Sequence, residues 1–137
     1  MIVKLASLSV LCLLGPALAQ PVRDTFRLTM DDSVQLDCTM FTPTDSAPPG
    51  GFPAIVFCHG LGQSKTACEP IADTFAVQGY VTLAYTVRGQ GNSSGKSTLF
   101  SWRERQDLAA VVAWVAARTN VNDTLPPDSD SVRAPTR

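Results

Sequence analysis

The sequence contains one histidine, His59, and no C-x-x-C pair. A zinc site built from His and Cys ligands is therefore not expected, and no other metal-ligand cluster is visible. Lys and Arg are never clustered, so nothing could neutralise a run of phosphates, and nucleic acid is excluded as a partner. Acidic residues are equally dispersed: the net charge is −1, with 17% charged residues and 45% apolar ones. No solvated acidic tail is implied. Beyond the first residues, no apolar stretch is long enough to cross a bilayer. A length of 137 residues points to one domain.

What is present begins with a leader. Lys4 supplies a positive charge, Leu5 to Leu14 an apolar run, Gly15-Pro16 a break, and Ala17-Leu18-Ala19 a small-residue cleavage site. This order is that of a cleavable signal peptide over residues 1–19, with cleavage expected after Ala19. The expected location is outside the cytoplasm, secreted or periplasmic, with no membrane attachment after cleavage. Cys12 follows Leu11, where a lipid-anchored leader needs a small residue, so an anchor is not expected. Cleavage leaves Cys38, Cys58 and Cys68. An odd number leaves one thiol over. Cys58 lies in an apolar run and reads as a small buried hydrophobe, while a Cys38–Cys68 bridge stays open as a possibility.

Val22 to Met30 alternates, with Phe26 and Leu28 pointing inward; Asp31-Asp32-Ser33 is a turn; Val34 to Thr42 alternates again. These residues predict a β-hairpin with one wet face. Pro43 to Pro53 is a Pro/Gly-rich loop. Ala54 to Cys58 is continuously apolar, as for a strand buried on both faces. A helix follows, with Ile71, Ala72, Phe75 and Ala76 on one face, a capping box at Thr66 to Glu69 and Gly79 as its C-terminal stop. Tyr80 to Val87 is a second buried strand, and Arg88 to Thr98 a Gly/Ser-rich loop. A second helix starts at the capping box Ser101 to Glu104 and carries the stripe Leu108, Val111, Val112, Val115, ending near Arg118 to Asn120. Hairpin, then β-α-β-α, predicts an α/β fold with a mostly parallel sheet covered by helices. From residue 121 to 137 the pattern stops and the composition is that of a disordered or out-of-pattern tail.

Two segments carry chemistry. The strand AIVFC runs into HGLGQSK, and the strand YVTLAYTV runs into RGQGNSSG. The first resembles the oxyanion loop of α/β-hydrolases. The second resembles their strand-and-loop motif Asp-x-Arg-Gly-x-Gly-x-Ser-x-Gly: Arg88, Gly89, Gly91, Ser93 and Gly95 match, and Thr86 stands where Asp is usual. With the hairpin before them and ERQDLAAVVAWV after, they are most similar to the secreted X-Pro dipeptidyl-peptidase and cocaine-esterase-like serine hydrolases, with dienelactone-hydrolase-like enzymes close behind. The resemblance implies the N-terminal half of an α/β-hydrolase domain over residues 20–120. It also implies a role for the backbone N–H of Leu61 as oxyanion-hole donor, with His59 and Gly60 as the supporting loop.

Gly91-Asn92-Ser93-Ser94-Gly95 fits G-x-S-x-G literally, but a nucleophile elbow needs a strand and a helix joined directly to the turn, and neither is adjacent here. Ser93 is therefore not expected to be a nucleophile. In this superfamily the base follows the serine in the chain, and His59 precedes it. Asp107 and Glu104 start a helix and read as structural. The segment around Gly91 to Ser97 misses the P-loop spacing by one residue. Asn92-Ser93-Ser94 and Asn122-Asp123-Thr124 are glycosylation sequons, relevant to a eukaryotic host. No catalytic residue is assigned, and this chemistry calls for no cofactor.

These readings describe a truncated α/β-hydrolase fold: an N-terminal fragment of a secreted serine hydrolase acting on ester or peptide bonds, inactive as it stands. The fragment would take a small ester or peptide substrate if completed. The alternative is a non-catalytic secreted binding module or pseudoenzyme, which would have to tolerate an open sheet edge.

Overall fold

The computed structural model describes residues 19–99 and 101–122. The expected signal peptide, except for Ala19, and the expected tail from residue 123 onward lie outside the described residues.

Four strands form one sheet: β1 (Val22–Thr29), β2 (Gln35–Thr42), β3 (Ala54–Cys58) and β4 (Val81–Tyr85), in the order β1-β2-β4-β3. Two helices, α1 (Glu69–Val77) and α2 (Trp102–Ala116), complete the element list with a short 3-10 turn at Lys65–Ala67. The sheet is mixed: β1 with β2 and β2 with β4 are antiparallel, while β3 with β4 is parallel. The β3-α1-β4 unit explains this, since parallel neighbours need a crossover and α1 supplies it. The hairpin turn is closed by Met30 N–H on the Val34 carbonyl at 2.8 Å, with Ser33 at φ 65°.

Alternation along the strands splits the core in two. Leu36, Cys38, Val81, Leu83 and Tyr85 meet Val111 and Val115 of α2 on one face. Phe41, Ala72 and Ala76 pack with Phe57 on the other, beneath α1. The result is a helix–sheet–helix sandwich. β4, second from the edge and covered on both faces, is buried at all five residues.

Three expectations about faces need correction. β2 has no wet face: Asp37 and Thr39 are buried. The segment leading into α1 covers them and supplies polar partners, Lys65 Nζ to Asp37 Oδ1 at 2.7 Å and Thr39 Oγ1 to Glu69 Oε1 at 2.8 Å. β3 is not buried on both faces. Among the described residues it has β4 on one side only, and its middle three residues are half-buried and Cys58 is exposed. On α2 the buried face runs through Glu104, Asp107, Val111 and Val115, while Leu108 and Val112 face solvent. The helix is turned to bring Asp107 onto Arg88, and hydrophobic spacing alone does not register that ion pair.

Helix ends follow local rules. In α1 the expected capping box is absent: Cys68 is the N-cap with no side-chain bond, and Glu69 is engaged by Thr39 and Arg23 instead. Ile71 is 50% exposed, so only Ala72 and Ala76 of the expected face are fully buried. Its C-terminus is a Schellman motif. Gly79 at φ 92° donates to Ala76 and Tyr80 donates to Phe75, whose rings also touch edge-on at 5.7 Å. In α2 the Ser101–Glu104 capping box forms as expected. Phe52, assigned to the Pro/Gly loop, and Val121, the first residue of the expected tail, are both buried. They form a parallel bridge, with Phe52 N–H on the Asn120 carbonyl and Asn122 N–H on the Phe52 carbonyl, both at 2.8 Å.

Candidate functional site

Parallel strands β3 and β4 end side by side, which brings the loops after them together at one edge of the sheet, the position where α/β folds place ligands. The first loop, His59 to Ser64, is tied to the second, Thr86 to Gly91, at three points. Val87 N–H donates to His59 Nε2 at 3.0 Å, Gly62 N–H to Gln90 Oε1 at 3.1 Å, and Lys65 N–H to Thr86 Oγ1 at 3.0 Å.

His59 is buried and fully used. Because Nε2 accepts from Val87, a neutral ring carries its proton on Nδ1 and donates it to the Gly60 carbonyl at 2.7 Å. Neither nitrogen is left to take a proton from a nucleophile. Gly60 N–H donates to Gln63 Oε1 at 3.3 Å, closing the turn with Gln63 N–H on the Gly60 carbonyl at 3.2 Å. Gly62 stands at φ 76°, with open space where a Cβ would be. Between the two glycines lies Leu61, 65% exposed, and no partner for its N–H is found among the described residues. The hollow beside it, lined by His59, Gly60, Leu61, Val87 and Gln90 among others, has a volume of about 10 Å³. That is room for roughly one water, far below the few hundred Å³ of a substrate pocket. The loop can present one backbone donor to an oxygen, but it does not by itself enclose a substrate.

The second loop is held from below. Ser93 is buried; its hydroxyl accepts from Asp37 N–H at 2.8 Å and donates to the Thr86 carbonyl at 2.7 Å. Ser94 accepts from Gln35 N–H at 2.8 Å and returns its own N–H to the Gln35 carbonyl. The two serines thus extend the pairing of β2, and the literal G-x-S-x-G match is a sheet clamp. Gly89, at φ 71°, is an obligatory glycine, since a Cβ there would lie 2.2 Å from Ser97 N. Arg88 is buried and pairs with Asp107 through Nε to Oδ2 and Nη2 to Oδ1, both 2.6 Å, and with Asp32 through Nη1 at 2.7 Å. The bonds it donates to Asp107, then to Asp32, raise the guanidinium pKa further, and Arg88 in turn lowers that of Asp32. One side chain therefore fastens the hairpin turn, the second loop and α2 together.

Several of these partners leave no trace in the sequence. Gln63 and Gln90 sit in Gly-rich stretches where an amide has no periodic signature. The pairing of Lys65 with Asp37 links residues whose contact depends on how the sheet folds. Among the described residues the three cysteines, Cys38, Cys58 and Cys68, are free. Cys38 lies inside the core, where burial pushes its thiol up to about 12, and Cys58 is on the surface, so the bridge left open between Cys38 and Cys68 is not formed and Cys58 is no core residue. Among the described residues no group of three or more His, Cys, Asp or Glu could hold a metal ion, and no helix is long and apolar enough to cross a membrane.

Comparison with known proteins gives the same frame. No curated protein matches the chain. Among solved structures, DcsB in complex with its substrate analogue is similar at 25% identity and TM-score 0.63, over 74% of this chain and 34% of that one. The α/β hydrolase GrgF from Penicillium sp. sh18 is similar at 26% identity and TM-score 0.61, with the same coverage of 74% and 34%. A CocE/NonD family hydrolase from Staphylococcus aureus shares the fold at 21% identity and TM-score 0.59, over 74% of this chain and 21% of that one. The chain thus spans about a third of the length of the first two structures. The model of the X-Pro dipeptidyl-peptidase (S15) family matches residues 32–126, which takes in β2 through α2 and both loops of the site. An α/β-hydrolase architecture, the His-Gly and Arg-Gly-x-Gly loops at its parallel strand ends and this match agree: the chain belongs to the X-Pro dipeptidyl-peptidase (S15) family.

Proposed function

We propose that this chain is the oxyanion-loop part of an exported serine hydrolase that cleaves ester or peptide bonds in the manner of the X-Pro dipeptidyl-peptidases. The observation that carries the reading is the Leu61 N–H, without a partner among the described residues, flanked by two N–H groups that are already bonded and placed where β3 and β4 end. When a carbonyl carbon is attacked, its oxygen gains negative charge. A donor fixed before the reaction stabilises that charge without reorganising, and one such donor is worth roughly 10²–10³ in rate. Leu61 supplies this donor, and the ring of His59 holds the turn that aims it.

The nucleophile, acid and base come from elsewhere in the complete enzyme. Ser93 has its hydroxyl proton committed to the Thr86 carbonyl, and His59, the one histidine, has both nitrogens occupied. An unactivated serine is a weak nucleophile, so the 137-residue chain alone has no hydrolase activity. The leader from Lys4 to Ala19 supports export.

The test uses the purified chain with p-nitrophenyl acetate and a fluorophosphonate probe. The expected result is hydrolysis no faster than buffer and no labelled serine. Strong turnover that disappears in Ser93→Ala would overturn the reading. Expression with the intact leader should yield a mature N-terminus at Gln20, and a chain retaining Met1 in the cytoplasm would remove export from it.

A further inference from the structure

Three consecutive N–H groups lie at the tip of the first loop: Gly60, Leu61 and Gly62. The outer two are capped by side-chain amide oxygens, Gly60 by Gln63 Oε1 at 3.3 Å and Gly62 by Gln90 Oε1 at 3.1 Å. The middle one has no partner among the described residues. We infer that Gln90 is a positioning residue, whose amide oxygen, reaching across from the second loop, holds the Gly62 N–H and so fastens to that loop the turn that presents the Leu61 N–H. This inference rests on the reading of Leu61 as the oxyanion donor and says what holds it in place.

The physical case is that a left-handed glycine does not hold itself. Gly62 at φ 76° has nothing within 4 Å of its would-be Cβ, so no packing at that position restrains it. Glycine crosses between φ > 0 and φ < 0 at little cost. Without an acceptor on the Gly62 N–H, the Leu61–Gly62 peptide can turn over, which would redirect the Gly62 N–H and the Leu61 carbonyl and release the tip of the turn from the second loop. Gln90 prevents this from a rigid base. Its own N–H donates to the Val87 carbonyl at 3.1 Å and its carbonyl accepts from Ser93 N–H at 3.0 Å. Two residues earlier Arg88 is anchored to Asp107 and Asp32. The position of the donor is thus referred, through one side chain, to the best-fastened part of the molecule. Gln63 lies on the first loop itself, so its bond shapes the turn but does not tie it to β4.

The test is amide hydrogen exchange and ¹⁵N relaxation on the chain in three forms: wild type, Gln90→Ala and Gln90→Glu, with Gln63→Ala as the comparison. Losing one hydrogen bond should speed exchange at Gly62 by roughly five- to tenfold in Gln90→Ala. The order parameters of Leu61 and Gly62 should fall toward about 0.6, while the β4 and α2 amides and the melting temperature stay put. Gln90→Glu keeps an acceptor oxygen and should restore wild-type exchange. Gln63→Ala should move Gly60 and leave Gly62 unchanged. Unchanged exchange at Gly62 in Gln90→Ala overturns the inference, as does loss of protection throughout the chain, which would make Gln90 merely structural. Because no ester turnover is read, failure here is distinct from failure of the oxyanion reading, which is decided by catalysis.

Discussion

Arg88 is where a single residue matters most to this structure. Its guanidinium is 6% exposed and its partner Asp107 carboxylate 4%, so both charges have given up their water and depend on each other. Removing one member of such a pair leaves the other uncompensated and costs about 3–5 kcal/mol. Asp107→Asn keeps the shape and removes the charge, while Asp32 continues to hold Arg88 from the other side. A loss near the lower end, about 3 kcal/mol, is therefore expected, read as a fall in the urea midpoint with the slope unchanged. The same substitution should loosen the second loop before it loosens the sheet. Asp107 is legible in the sequence as a carboxylate in the first turns of a helix, but its partner is not, because Arg88 lies outside any helical repeat that contains Asp107.

At the scale of elements, the start of α2 carries a pH dependence. Burial opposes the charge on Glu104, but hydrogen bonds from Ser101 and Thr98 outweigh it and lower the carboxyl from 4.5 to about 2. A folded-state pKa below the unfolded one stabilises the fold above the unfolded value and ceases to do so as pH falls through the folded one. Thermal stability should therefore decline as pH drops from 4.5 to about 2, and Glu104→Gln should flatten that part of the profile and cost stability at neutral pH. The rotation of α2 gives a second test. Val111 is completely buried and Val112 is 47% exposed, so Val111→Ala should cost a few kcal/mol and Val112→Ala about 0.5 or less, although both lie on the predicted stripe. Sequence patterning identified the hairpin, both later strands, both helices and the Ser101 cap because each rests on neighbours in the chain. It placed the exposed sides of β2, β3 and α2 wrongly because those depend on what lies opposite: Lys65 and Glu69 for β2, an open side for β3, Arg88 for α2.

Among the described residues the sheet has an open edge at β3 and a scatter of exposed apolar side chains, with Leu61 at 65%, Leu99 at 66%, Trp102 at 65%, Leu108 at 41% and Val112 at 47%. Unpaired strand edges recruit other strands, and exposed apolar surface adds to the pull. The purified chain should therefore associate with rising concentration in sedimentation velocity, and Ala54→Lys, at the exposed start of β3, should move it toward monomer. The Phe52–Val121 bridge bears on the same edge. Phe52 offers both of its peptide groups to the chain leaving α2, while the next carbonyl, that of Pro53, turns the other way to Val81. Alternate residues of β3 therefore stay available on the open side, in a register already chosen at Val121. The bridge therefore ties the start of β3 to the C-terminal end of α2, so the position of that helix sets which peptide groups of the Phe52 edge are already taken. A strand arriving one residue out of step would turn its apolar side to water.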